Sequence, residues 1–212
     1  MDGDVAIGAG DVSLQATVVR PVDARGVVAF AHGSGSGRHS PRNRYVATVL
    51  NDGGLATVLA DLLTAEEEQI DERTGHLRFD IGLLAARVTA IVDWLGATDE
   101  TSALPVGLFG ASTGAVAALV SAAERPAAVR AAVSRGGRPD LAGGALPRVA
   151  APTLLIVGGR DEVVLGLNRD AFDVLPGEKE LQVIPGATHL FEEPGTLERV
   201  AELATAWFTR HL

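Results

Sequence analysis

The sequence predicts a three-layer α/β/α sandwich on a mostly parallel central sheet, entered through an antiparallel hairpin and carrying no separate lid domain. Three observations predict it. From residue 26 onward, short apolar runs alternate with longer amphipathic or small-residue segments, the signature of repeated β-α units with helices on both faces of a sheet. The length, 212 residues, suits one domain with a sizeable core, so a single domain is expected over residues 1–212. Hydrophobic residues make up 47% of the chain but aromatics only 4%, which implies a core of Ala, Val and Leu; the 21% charged fraction is that of a folded chain.

The elements follow in order. Val5 to Ile7 and Ser13 to Val19 alternate in polarity around Gly8-Ala9-Gly10-Asp11, which reads as the hairpin. Val27 to Ala31 starts the central sheet, Pro41 to Leu50 reads as a helix with proline in its first turn, and Ala56 to Ala60 as a strand. The polar stretch Thr64 to Glu72 reads as a solvated acidic loop rather than a flap over a site. Leu77 to Leu95 has the spacing of one long amphipathic helix. Val129 to Val133, Leu154 to Val157 and Leu181 to Ile184 complete the strands, with Leu141 to Val149 the only room for a cap, and a final helix covers Leu197 to His211.

One pentapeptide carries chemistry. Gly110-Ala111-Ser112-Thr113-Gly114 stands between the apolar run Leu104 to Phe109 and the small-residue run Ala115 to Ala123, a strand, a sharp turn and a helix. A serine hydroxyl is a poor nucleophile and must be held clear of its neighbours, aimed at a base and at oxyanion donors. Glycine two places either side of the serine permits the tight turn that does this. Two later apolar runs end at Arg160-Asp161 and at His189, giving the order Ser112, Asp161, His189. In a parallel sheet the carboxyl ends of the strands lie on one side, so residues far apart in sequence converge there. Earlier, Gly26 to Ala31 exits into His32-Gly33-Ser34-Gly35-Ser36-Gly37, a turn whose backbone N–H groups can point inward unobstructed. Ser34 and Thr113 are the expected oxyanion donors, with Gly35 the alternative in the first loop, and His32 is expected to orient that loop.

On these residues the chain resembles the α/β-hydrolase superfamily and, within it, small lidless members of the dienelactone-hydrolase-like group. The resemblance covers essentially the whole chain: His32-Gly33, the turn around Ser112, Gly159-Arg160-Asp161, and Pro185-Gly186-Ala187-Thr188-His189. It departs at one point. Dienelactone hydrolase uses a cysteine nucleophile, whereas this chain has Ser112 and no cysteine. The resemblance therefore implies a cofactor-free hydrolase acting on ester, thioester or lactone bonds of a small acyl substrate through an acyl-enzyme. A rival reading is a hydrolase-fold binding or sensor protein that turns over slowly.

Other roles compete for the same residues. Ser112 and Asp161 each stand where a helix N-cap would, and Asp140, after the strand ending near Ser134, is a rival acid. His39, His76 and His211 lack partners at metal-ligand spacing and read as surface residues, and no metal is expected. The loop from Gly33 to Gly37 fails as a nucleotide motif, because Arg38 stands where a third glycine would fall and Gly37-Arg38-His39 replaces Gly-Lys-Ser/Thr. A formal net charge of -9 opposes nucleic-acid binding. No apolar run reaches membrane-spanning length and the acidic amino terminus lacks a leader's features, so no membrane partner and a cytoplasmic location are expected. The oligomeric state is left open. Against this acidic background, Arg38, Arg42 and Arg44 follow the oxyanion loop, Arg135 and Arg138 follow a strand, and Arg160 adjoins the acid. Arg38, Arg135 and Arg160 are candidates to bind an anionic group on the substrate; the alternative is that these arginines tie loops together through carboxylates.

Overall fold

A computed structural model describes residues 2–212. Its elements are β1 (Gly3–Ala9), β2 (Val12–Val19), β3 (Val27–Ala31), α1 (Pro41–Asp52), β4 (Ala56–Ala60), α2 (Ala65–Thr74), α3 (Ile81–Ala97), β5 (Val106–Ala111), α4 (Thr113–Glu124), β6 (Val129–Arg135), β7 (Thr153–Gly158), α5 (Glu162–Val174), β8 (Lys179–Ile184) and α6 (Thr196–His211). The strands form one eight-stranded sheet in the order β1-β2-β4-β3-β5-β6-β7-β8. β1 and β2 form the hairpin, joined at Gly10-Asp11 with Ala9 opposite Val12 and Gly10 at φ 68°. β2 meets β4 antiparallel, and every pairing from β4 to β8 is parallel.

The central strands are apolar on both faces because helices cover both. In β3 the alternation is direct: Val27, Ala29 and Ala31 pack toward α3 and α4, Val28 and Phe30 toward α1 and α6. Phe30 stacks at a tilt on Phe109 of β5, ring centroids 4.9 Å apart, in the second of these layers. Small residues bring α4 close to the sheet; Ala115, Ala117, Ala118 and Ala122 are all buried. Among the described residues no helix is long and apolar enough to cross a membrane.

Three expectations are corrected. The stretch from Thr64 is not a loop. It is α2, started by a capping box in which Thr64 Oγ1 accepts from the Glu67 N–H while the Glu67 carboxylate accepts from the Thr64 N–H. Its weak apolar face hides it from periodicity, and it is held by ion pairs from Glu67 to Arg87 and from Asp71 to Arg78. The long helix expected from Leu77 begins instead at Ile81. Leu77–Phe79 form a 3₁₀ turn, and Asp80 ends it and caps α3, accepting from the Leu83 N–H at 2.9 Å. The cap between β6 and β7 is a 3₁₀ segment, Pro139–Arg148, and no lid domain is present among the described residues. His211, expected at the surface, tucks its ring against Trp207 at 4.5 Å.

Candidate active site

β5 delivers Ser112 at its carboxyl end with φ 51° and ψ −118°, a left-handed backbone that a residue with a Cβ adopts only under constraint. The constraint is visible. The Ser112 N–H donates to Arg135 O at 3.0 Å, and α4 starts at the next residue. A Cβ on Gly110 would lie 2.3 Å from Ala115 Cα, and one on Gly114 would lie 2.2 Å from Ala31 O and 2.3 Å from His32 O. Both contacts are with backbone, so neither can yield cheaply. Gly114→Ala is therefore expected to push α4 away from β3, costing several kcal/mol by overpacking and displacing the His32 loop. Thermal unfolding measures the first effect; a loss of ester hydrolysis in the surviving folded fraction measures the second.

Ser112 stands at the N-cap position of α4 but makes no cap hydrogen bond, and Asp161 stands likewise before α5. Their side chains are engaged elsewhere. His189 Nδ1 lies 2.6 Å from Asp161 Oδ2, and His189 Nε2 lies 3.2 Å from Ser112 Oγ. A carboxylate can only accept, so Nδ1 carries the proton and Nε2 presents a lone pair to the serine hydroxyl. The loop bearing His189 is placed by close approach to β7: a Cβ on Gly158 would meet Ala187 O at 2.5 Å. Gly136, at φ 54°, lies against the imidazole edge. Asp140 is elsewhere. It receives two hydrogen bonds from Arg138, at 2.8 and 2.7 Å, and that guanidinium holds its carboxyl below the ordinary range.

The first loop is built around one carbonyl. Gly33 O accepts from Ser36 N–H at 3.2 Å, closing a turn that needs a positive φ at Gly35, which has φ 67°. It also faces His32 Nδ1 at 3.0 Å. His32 Nε2 accepts from the Leu62 N–H at 3.0 Å, which places the ring proton on Nδ1 and makes His32 a donor to Gly33 O. The peptide between Gly33 and Ser34 is planar and trans, so fixing its carbonyl turns the Ser34 N–H the opposite way. A Cβ at Gly33 would touch Ser112 Cβ at 3.2 Å, so this peptide runs beside the serine. Thr113 opens α4, where the first N–H groups have no partner within the helix.

Burial lowers the His32 pKa from its ordinary value, outweighing Gly33 O, Asp61 and Glu68, which favour the charged ring. The folded state thus resists protonating a group that the unfolded chain protonates. Stability from this source is intact above the ordinary histidine pKa of about 6.5 and falls as pH drops below it, toward the lower folded value. A His32→Gln variant is expected to lose about 1 to 3 kcal/mol at pH 8 through unpaired backbone groups, and to show a shallower fall in Tm between pH 7 and pH 5 than the parent. Parallel Tm profiles for the two proteins would remove His32 from this role.

The expected arginine rim divides. Arg38 is tied to Asp61, its backbone N–H donating to Oδ1 at 2.7 Å and its Nη1 to Oδ2 at 3.1 Å. Arg42 pairs with Glu192 and Arg138 with Asp140. Arg160 is exposed and has no ion pair among the described residues. Arg135 is different again. It is 8% exposed, its Nε and Nη1 are buried without hydrogen-bond partners, and its guanidinium carbon sits 5.9 Å from the Phe191 ring centroid. Burial, with some repulsion from Arg42, brings its pKa down to about 10.

A cavity of about 220 Å³ opens beside the first loop, walled by residues 32–36, Asp61, Leu63, Thr113, Leu84, Arg78 and the α2 residues Glu68, Asp71 and Glu72. Sequence reasoning missed α2 and Arg78 as parts of this edge. The capping pair Thr64 and Glu67 was the available signal for a helix there.

Residues 14–211 match the family described as the Dienelactone hydrolase family. The crystal structure of a dienelactone hydrolase from Anabaena variabilis is 60% identical, superposes with a TM-score of 0.98, and is covered over 98% of its length by 100% of this chain. Est1E from Butyrivibrio proteoclasticus, at 16% identity, a TM-score of 0.84 and 99% coverage of each chain, shares the fold. Two strains of Mycobacterium tuberculosis each carry a protein named "Putative phosphoribosyl transferase" that is 60% identical over 211 residues, covering 100% of this chain and 47% of the relative. The chain thus spans about half the length of the curated relatives it matches. With its eight-stranded sheet and its match over residues 14–211, the chain belongs to the dienelactone hydrolase family.

Proposed function

We propose that this chain is a serine hydrolase that cleaves an ester, thioester or lactone bond of a small molecule through an acyl-enzyme on Ser112. Family and fold support a hydrolase. The single observation that carries the finer reading is the chain of hydrogen bonds from Asp161 through His189 to Ser112. In the proposed cycle His189 Nε2 takes the serine proton as Oγ attacks the acyl carbon, and returns it to the leaving oxygen or sulfur as that bond breaks. Asp161 holds the tautomer and stabilises the imidazolium. The N–H groups of Ser34 and Thr113 receive the developing oxyanion, with Gly35 the alternative. Water, activated by His189, then attacks the acyl carbon and releases the acid, restoring the serine. No step calls for a cofactor or metal, and a cytoplasmic setting fits the sequence.

The name "Putative phosphoribosyl transferase" belongs to mycobacterial proteins of which this chain matches 47%, and that activity is not proposed for this chain. A panel of p-nitrophenyl esters tests the hydrolase reading: repeated turnover is expected, whereas release of about one equivalent followed by a stall would favour a sensor protein.

The anionic-substrate part of the proposal rests on Arg135, because Arg38 is already paired and Arg160 is held near the site by its backbone alone, its N–H donating to Ala187 O at 2.9 Å. A buried guanidinium without a counter-charge is costly, and an anionic group would satisfy it. Arg135→Gln is expected to lower kcat/KM for an ester with a remote carboxylate by about tenfold or more, the loss of a charge-assisted pair, and to leave a neutral ester of equal length nearly unchanged. Equal losses on both substrates, or a lower Tm with unchanged selectivity, would make Arg135 a packing residue.

A further inference from the structure

The cavity beside the first loop lies over the ends of β3 and β4, on the opposite side of Ser112 from Arg135, which ends β6. Its chemistry is specific. Thr113 is only 3% exposed, its Oγ1 is buried without a hydrogen-bond partner, and it lines the cavity next to the oxyanion loop. Arg78 is held rigidly by a buried partner: its Nε donates to Asp71 Oδ2 at 2.5 Å and its Nη2 to Asp71 O at 3.0 Å. Its remaining Nη1 lies 3.6 Å from the place a Cβ on Gly35 would occupy, and makes no hydrogen bond among the described residues. Glu68 and Glu72 stand one turn apart on α2, both lining the cavity, and neither has an ion-pair partner among the described residues.

These groups decide what can bind. An anion entering here meets the unpaired Glu68 and Glu72; a cation, which brings no acceptor, leaves the Nη1 donors of Arg78, whose charge Asp71 already balances, without a partner. A neutral group that both donates and accepts satisfies all of them, and Leu63 and Leu84 supply the apolar side chains of the wall. Resting on the serine-hydrolase reading above, we propose that this cavity binds the hydroxyl-rich, uncharged part of the substrate, a polyol or sugar moiety, with Arg78 donating, Glu68 and Glu72 accepting, and Thr113 Oγ1 pairing with the hydroxyl nearest the scissile bond. Buried polar groups left unpaired by an apolar analogue make such a site selective.

The test compares two pairs of esters, so that either side of the scissile bond can carry the hydroxyls: a methyl hexopyranoside monoacetate against cyclohexylmethyl acetate, and methyl gluconate against methyl hexanoate. The comparison with two charged arms, a choline ester and an acetylated hydroxy acid, is made in Arg135→Gln, so that Arg135 does not hold the carboxylate. In at least one pair the hydroxylated ester is expected to have the higher kcat/KM by about tenfold or more, and both charged esters should fall below it. The double variant Glu68→Ala/Glu72→Ala should bring that ratio near unity through lost activity on the hydroxylated ester, with a Tm and a circular dichroism spectrum that show the variant folded. A ratio near unity in both pairs, a ratio unmoved by the double variant, or preference for either charged ester overturns the inference. Loss of p-nitrophenyl acetate turnover and of labelling in the parent protein would instead overturn the serine-hydrolase reading on which it rests.

Discussion

Ser112→Ala is expected to lower kcat on an activated ester by about three orders of magnitude or more and to abolish acyl-enzyme formation, leaving only what binding and the oxyanion donors contribute. The physical reason is that, among the described residues, Ser112 Oγ is the nucleophile that hydrogen-bonds with His189 Nε2. Stability should barely change, because alanine keeps the Cβ and with it the strain of a residue at φ 51°. Ser112→Gly should be equally inactive but more stable, by about 1 kcal/mol, since glycine adopts that backbone without penalty. Steady-state kinetics and thermal unfolding of the two variants separate chemistry from strain. More than a tenth of the parental kcat in either would remove Ser112 from the mechanism.

Asp161→Asn is expected to cost about four orders of magnitude in kcat, because an amide can offer its N–H to Nδ1 and so favour the imidazole tautomer that has no lone pair for the serine. Asp140→Asn is the control. It removes a carboxylate that faces Arg138, on a half-exposed pair that makes no hydrogen bond to the imidazole, and should leave kcat within about twofold while lowering Tm slightly. The reverse ranking would place the acid after β6.

How much of this was legible in the sequence depended on what kind of signal each part leaves. The central strands are buried on both faces and bounded by turn residues, so β3 and β4 were readable to the residue, and the parallel order followed from the alternation of strands with helices. Ser112, Asp161 and His189 were legible as a set because each ends a strand run, and a parallel sheet brings such ends together. That they meet within hydrogen-bond distance is a matter of loop geometry, which no spacing encodes.

The helix α2 was hidden for a physical reason. Its stability comes from a capping box and two ion pairs rather than from an apolar stripe, so it carries little periodicity. The break before α3 was hidden by the apolar residues of the 3₁₀ turn, which continue the helical spacing until Asp80 caps the next helix. The sequence left two readings of the arginines open, loop ties and anion binding, and the first describes Arg38, Arg42 and Arg138. The carboxylates that engage Arg38, Arg42 and Arg138 lie on Asp61, Glu192 and Asp140, and for the first two the sequence separation is too large for pairing to be inferred. The unpaired state of Arg135, and the placement of Arg78 at the cavity, emerge only from packing.

In the proposed cycle Ser112 alone becomes acylated, activated by His189. Labelling the intact protein with a fluorophosphonate and mapping the adduct by peptide mass spectrometry tests it most directly. One adduct per chain is expected, on the peptide holding Ser112, absent in Ser112→Ala and formed far more slowly in His189→Ala. An adduct on another residue, or labelling of Ser112 at a rate that His189→Ala leaves unchanged, would contradict it.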